Sequence, residues 1–372
     1  MKKAISFIKK ETVLCVALLL AFISVFLVHP DKGYIDYIDF RTLAILFCLM
    51  AVMAGLKEIG VFHRLASGLI RHTHSLMGIT ITLNLLCFFL SMVITNDVAL
   101  LTLVPFSFII ISMTDTKKGF AATLIIMLTI AANMGSMLTP LGNPQNLYLY
   151  GKSGLSFAEF LKTMLPYTGA AFIMLLLWIA VYCRKRTPVK ITFETGTTID
   201  KRKMLVYIIL FVVSLLAVLK VYPYWIALIA VVLLMAVFDI RNFARVDYSL
   251  LLTFIGFFIF IGNMGRLPAF RDFLEKFVNR NLTATGIISS QIISNVPASL
   301  LLSGFTDRYK ALLIAVNLGG LGTLIASMAS LISYKIYARE CPDTKGRYLL
   351  YFTLSNVCFL AILIALNIII KQ

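Results

Sequence analysis

Long apolar runs recur from one end of this chain to the other, at residues 12–28, 76–94, 164–183, 204–219 and 348–370. Each approaches the roughly 20 residues that carry a helix across a hydrocarbon core. A helix satisfies its own backbone polar groups, so it is one of the two forms that lipid tolerates. The pattern predicts an all-α polytopic membrane protein. It excludes a soluble globule: 60% of the 372 residues are hydrophobic and 14% are charged. Soluble domains run at about 45–50% and about 25%.

The net charge of +17 does not mark a nucleic-acid binder. The basic residues sit at the ends of apolar runs, where the positive-inside rule places them. The six cysteines are scattered, mostly inside apolar runs and with no CxxC pair, so they read as small core hydrophobes. Lys2, Lys3, Lys9 and Lys10 before an apolar stretch imitate a signal peptide. The stretch is long for one and no small-x-small site follows Val28, so it reads as a retained first helix.

A pass along the chain predicts about ten spanning helices plus two re-entrant helical hairpins, by length and polarity. Helices are expected at 12–28 and about 40–56, then a basic amphipathic segment at 58–73. Arms 76–94 and 98–113 meet at Thr95-Asn96-Asp97, and a helix from 119 is interrupted near 139–144. A lateral stretch at 155–163 and a helix at 164–183 precede a polar linker, 184–203. Spans at 204–220, 223–239 and 246–264 lead to an amphipathic segment, 267–281. Short arms then meet at Ser294-Asn295-Val296-Pro297, before a Gly-rich span at 309–335 and a last helix at 348–370.

The chain also resembles itself. Residues 38–62 align without gaps on 246–270, pairing Asp39 with Asp247. Thr95-Asn96 resembles Ser294-Asn295, and Asn133-x-Gly135-x-x-x-Thr139 resembles Asn317-x-Gly319-x-x-x-Thr323. Polar identities inside apolar runs define the match. With a cytoplasmic N-terminus and both hairpins re-entrant, cytoplasmic segments hold 22 of the 34 Lys and Arg. The C-terminus then lies outside, and the copies have inverted topology. Many secondary transporters share that plan. The expected division is an N-terminal helix (1–37), a first inverted repeat (38–183), a cytoplasmic linker (184–203), connecting helices (204–245), and a second repeat with the C-terminal helix (246–372).

Polar residues between apolar arms are costly at membrane depth, so Thr95, Asn96 and Asp97 at one tip and Ser294 and Asn295 at the other are expected to line a pathway. Thr139, Pro140, Gly142, Asn143, Pro144 and Asn146 interrupt the helix between them. Proline and glycine there free carbonyls that could coordinate a cation. A half-helix N-terminus would favour an anion. Asn133, Asn317, Thr323 and Ser327 complete the candidate set, with Na⁺ expected near Asn96, Asp97 and Asn295.

An Asn-Asp hairpin tip followed by Thr-Pro-x-Gly-Asn-Pro-Gln-Asn resembles the ion transporter superfamily. That group includes arsenite permeases, D-type sodium/proton antiporters, and citrate and divalent-anion symporters. The pattern most resembles small bacterial YbiR-type membrane proteins, through Thr-Asn-Asp-Val-Ala-Leu and Ser-Gln-x-Ile-Ser-Asn-Val-Pro. The resemblance covers roughly 40–340. It implies a scaffold, a moving transport part, ions and substrate at tips and breaks, and a homodimer. Divalent-anion symporters carry Ser-Asn-Thr at both tips. Thr-Asn-Asp and Ser-Asn-Val here lean towards the arsenite/antiporter branch, with Asp97 as the coupling carboxylate.

Other signals carry no chemistry. Gly151-Lys152-Ser153-Gly154 fits a rhomboid GxSG, but His29, His63, His72 and His74 all precede Ser153, the wrong order for that protease. A P-loop would need glycine where Asn146 stands. The histidines in the basic segment, and Arg266, Arg271, Lys276 and Arg280, read as solvated or lipid-facing. The expectation is a non-enzymatic secondary transporter of a small anion or oxyanion, coupled to H⁺ or Na⁺ without a further cofactor, in the bacterial inner membrane. A Na⁺/H⁺ antiporter is the alternative. From another class, a membrane-embedded enzyme or an assembly subunit remains.

Overall fold

The computed structural model describes residues 11–71, 73, 75–113, 118–183 and 200–371. The N-terminal lysines, His72, His74 and residues 184–199 of the expected linker lie outside them. Every regular element among the described residues is helical. In chain order these are α1 (Thr12–Leu27), α2 (Phe40–Glu58), α3 (Val61–Ile70), α4 (Leu76–Val93), α5 (Asn96–Ser112), α6 (Lys118–Ser136), α7 (Pro144–Ser153) and α8 (Phe157–Tyr182). Then follow α9 (Lys201–Val218), α10 (Tyr224–Phe238), α11 (Tyr248–Gly265), α12 (Pro268–Ile293), α13 (Asn295–Ser303), α14 (Tyr309–Leu318), α15 (Met328–Glu340) and α16 (Lys345–Lys371). Six described helices are long and apolar enough to cross a membrane alone. The shorter α1, α5, α10 and α14 are apolar as well.

Their exposed faces are apolar, which inverts the arrangement of a soluble bundle. On α1, Val16, Leu19, Phe22, Ile23 and Phe26 are exposed, while Ala17, Ala21 and Ser24 are buried. Small residues on the inner face let the α1 backbone approach Gly256 of α11, as in membrane helix pairs generally. Ser24 then reaches Asn263, whose amide donates to its hydroxyl at 2.9 Å.

Two groups of helices result. In one, α1 packs on α11, and α9 and α10 pack on α2. In the other, α4 packs on α6 and α12 on α14. Each hairpin's second arm crosses to the other half: α5 packs on α15, and α13 on α7. Helices α8 and α16 flank α6. The groups meet where α2 touches α7 and α5, and where α11 touches α13.

α2 and α11 begin alike and run opposite ways. Asp39 caps α2 by accepting from Thr42 N–H at 2.9 Å, and Asp247 caps α11 by accepting from Leu250 N–H at 3.1 Å. A side-chain oxygen at this position satisfies one orphan donor of the first turn. Glu58, at the end of α2, meets Arg245, just before α11, at 2.7 Å. Arg266, just past the end of α11, meets Asp31, ahead of α2, at 2.6 Å. Each helix end therefore lies beside the other's beginning.

The lateral segments also correspond. α3 buries Phe62, Ala66 and Ile70 at four-residue spacing and leaves Arg64 exposed. α12 kinks at Asn281, which separates the amphipathic 268–280 from the hairpin arm 282–293. One expectation needs correction. The stretch 155–163 is not a separate lateral piece, because Ser156 and Glu159 form a capping box that starts α8 at Phe157.

Candidate functional site

The first tip is where α4 ends and α5 begins. Ile94 and Thr95 are extended, and Asn96 opens the new helix. The first break is where α6 ends at Ser136 and α7 restarts after Asn143. The second tip turns through Ser294, at φ 74° and ψ 154°. The second break separates α14 from α15, and Ser327 restarts the helix at nearly the same angles as Asn143.

Hydrogen bonds lock these pieces together across the halves. Asn133 Nδ2 donates to Ser330 Oγ at 3.3 Å, and Asn317 Nδ2 donates to Asn146 Oδ1 at 2.7 Å. Asn317 stands 184 positions after Asn133, and Ser330 stands 184 after Asn146. The two bonds are one contact made twice. Thr139 Oγ1 donates to Met92 O, and Thr323 Oγ1 donates to Gln291 O at 3.3 Å, which is a second such pair. A third is steric: added methyl groups at Gly135 and Gly319 would each lie 2.6 Å from a serine oxygen, of Ser91 and Ser290. The break helix and the hairpin arm pack closely there in both halves.

Around Asn133 the network closes on the first tip. Its Oδ1 accepts from Asn96 Nδ2 at 3.1 Å and from Ser327 Oγ at 3.0 Å. Asn96 N–H donates to Gly142 O at 3.0 Å. Gly142 lies so near the end of α6 that a methyl group there would fall 2.1 Å from Ser136 O. Asn96, Asn133, Asn143, Asn146, Asn317 and Ser327 are all buried.

The freed carbonyls differ from expectation, because most are occupied. Asn146 Nδ2 lies within 3.4 Å of Ser136 O, Met137 O and Thr139 O. In the second break, Gln291 Nε2 donates to Gly319 O and Leu321 O, both at 2.8 Å. Gln291 was not among the sequence candidates. A long amide three residues before the tip, facing a run of glycines, was the available signal. Leaving such carbonyls unpaired away from water is costly, and these amides satisfy them.

A cavity of about 160 Å³ lies between the two helix groups on the side of the first tip. Thr95, Asp97, Asn143 and Pro144 line it from the first tip and break. Leu46, Leu49, Met50, Met53, Ala54 and Lys57 line it from α2, with Arg245 and Asp247 beside them. Lys57, Arg245 and Asp247 are exposed and form its mouth. Asp97 Oδ1 is enclosed and has no hydrogen-bond partner among the described residues. A carboxylate oxygen in that state is costly at membrane depth.

The second set of candidates does not line this cavity. Ser294 and Asn295 are buried against Gly320 instead: a methyl there would fall 2.9 Å from Asn295 Nδ2. Thr323 is exposed and tied to Gln291. Ser327 joins the first set only through Asn133. No group of three His, Cys, Asp or Glu that could hold a metal occurs among the described residues.

Apolar outer faces, paired helix breaks and a charged cavity between two helix groups define a polytopic membrane transporter. The model for the citrate transporter family matches residues 5–306, and the chain belongs to that family. An uncharacterized transporter of Methanocaldococcus jannaschii is 31% identical over 91% of this chain and 92% of its own length. Escherichia coli (strain K12) inner membrane protein YbiR is 34% identical over 84% of each chain. A silicon efflux transporter of Oryza sativa subsp. japonica is 30% identical over 37% of this chain and 28% of its own. The family is one of transporters and not enzymes, and the YbiR resemblance read from the motifs holds.

Proposed function

We propose that this chain is a secondary active transporter of a small anion or oxyanion, coupled to H⁺ or Na⁺ and working by alternating access. The observation that carries this reading is the cavity between the helix groups. An unpartnered carboxylate, Asp97, lies inside it, and two cations, Lys57 and Arg245, lie at its mouth. A carboxylate without a partner suits a coupling proton or Na⁺, and cations at the entrance suit an anion. The match to the citrate transporter family favours a small anion.

In this reading residues 38–183 and 246–372 are inverted repeats, preceded by the helix in 1–37 and joined by the linker 184–203 and the connecting helices in 204–245. α1, α2, α9, α10 and α11 form the scaffold. The cross-braced tips and breaks move against it as one body. Positive-inside counting puts the N-terminus and the Lys57 end of α2 on the cytoplasmic side and the C-terminus outside, with the cavity open inward. The membrane is the bacterial inner membrane, as in the E. coli relative's name, and the assembly is a homodimer by family analogy.

A Na⁺/H⁺ antiporter is the second reading, and Asp97 is the observation that favours it. Proteoliposome flux separates the two. Citrate, dicarboxylates, sulfate, arsenite and Na⁺ are offered with and without pH and Na⁺ gradients. An anion driven by either gradient supports the proposal, and Na⁺/H⁺ exchange alone supports the second. Asn96→Ala and Asn295→Ala should insert in the membrane and lose flux. Full flux in both would remove the tips from the mechanism.

A further inference from the structure

Four charged side chains line the cavity, and two are already committed. Arg245 is paired with Glu58 at 2.7 Å, and Asp247 caps α11 through Leu250 N–H. Asp97 Oδ1 has no hydrogen-bond partner, and no hydrogen bond or ion pair engages Lys57 Nζ among the described residues. An unpaired ammonium and an unpaired carboxylate therefore face one space without touching. They also belong to different bodies: Lys57 to α2, Asp97 to the first tip.

Lys57 ends the stripe of α2 that lines the cavity. Leu46, Leu49, Met50, Met53, Ala54 and Lys57 follow helical spacing, so they form one stripe along α2. Side chains on a helix lean toward its N-terminus. Lys57, in the last turn, thus borders the cavity at its mouth, its methylenes along the apolar stripe and its ammonium on the solvent side. The space of about 160 Å³ has room for several waters. That suits a compact carboxylate or oxyanion.

We propose that Lys57 is a specificity-determining residue that contacts the transported anion on one face of the membrane only. This rests on the anion-transport reading given above. The anion lies between Lys57 and the tip, while Asp97 is left for the coupling cation. Because Lys57 is on the scaffold, the contact exists only while the tip faces the Lys57 end. Substrate entering from the other face binds without it and meets it only on release. Losing the charge therefore makes apparent affinity asymmetric.

The test uses the full chain in proteoliposomes of known orientation, with whichever anion the wild type carries in the flux screen. KM is measured from each face for wild type, Lys57→Gln and Lys57→Arg. Lys57→Gln should raise KM about 10- to 100-fold from the Lys57 face, the range of a lost charged hydrogen bond. KM and maximal flux from the opposite face should stay within about twofold, inside the scatter of a surface substitution. Maximal flux from the Lys57 face should rise in step with KM there, because net flux must vanish at equal concentrations in every variant. Lys57→Arg should regain most of the loss. Equal KM changes on both faces, no change, or an Arg variant no better than Gln would overturn the proposal. A wild type that carries none of the anions is a different result, and it overturns the anion reading itself.

Discussion

In the first half, the carbonyls freed by the helix break are taken up by Asn146, which lies inside the break. In the second half, Gln291 takes them up by reaching across from the hairpin arm, and it also accepts from Thr323 N–H at 2.9 Å. The tips differ too. The first turns through extended residues and carries Asp97. The second turns through Ser294 in a backbone region that favours glycine, and it has Val296 at the position of Asp97. The shared bonds hold the two halves in one architecture. The unshared ones show where the halves diverge in role. The first half holds the open carboxylate, and the second is braced around a strained tip.

The largest expected effect comes from Asn146→Leu. It leaves Ser136 O and Met137 O unsatisfied and removes the cross-half acceptor of the Asn317 amide, at roughly 1–3 kcal/mol for each buried group. Thermal unfolding in detergent should show a loss of at least about 3 kcal/mol, given partial relaxation. A milder loss would mean that the first break is not held from within. Gln291→Leu should cost less, about 1–2 kcal/mol, because its site is only half-buried and water can replace part of the bonding. Equal losses in the two variants would erase the distinction between the breaks.

Ser294→Gly should raise stability by about 1 kcal/mol, since a non-glycine residue in this region is strained by about 1–3 kcal/mol. Flux should fall if the strain holds the tip in place. A destabilised Ser294→Gly protein would mean that the tip is relaxed.

The smallest effect concerns the ion pair at the far end of α11. The Arg266 guanidinium holds the Asp31 carboxyl below its ordinary 3.8. A carboxyl lowered in the folded state stabilises fully above its unfolded value and loses that contribution as pH falls through the folded one. Wild type should therefore lose its small advantage over Asp31→Asn below about pH 4, near the free Asp value. Salt should weaken the pair as well, because both groups are exposed. Parallel melting curves from pH 6 to 3 would contradict this.

Much of this was legible in the sequence. Apolar runs gave the helices, and Asp39 and Asp247 marked two equivalent starts. The Asn-x-Gly-x-x-x-Thr match pointed to bonds that the structure makes in both halves. The partners were not legible. Asn133 could be seen as important, but nothing in its own half reveals Ser330, which lies 197 residues away. Pro140, Gly142 and Pro144 announced a break, but they could not say that Asn146 would take up its carbonyls. Lys57 looked like a span-ending lysine, because the cavity that gives it a role forms only when α2, the first tip and Arg245 come together.

Gradient-driven flux of Asp97→Asn in proteoliposomes bears most directly on the coupling site. The amide keeps the size of the carboxyl and removes only its charge, so insertion and melting temperature should match wild type. Flux driven by a proton or Na⁺ gradient should be lost. An Asp97→Asn protein that still converts either gradient into wild-type uptake would show that the unpaired carboxylate plays no part in coupling.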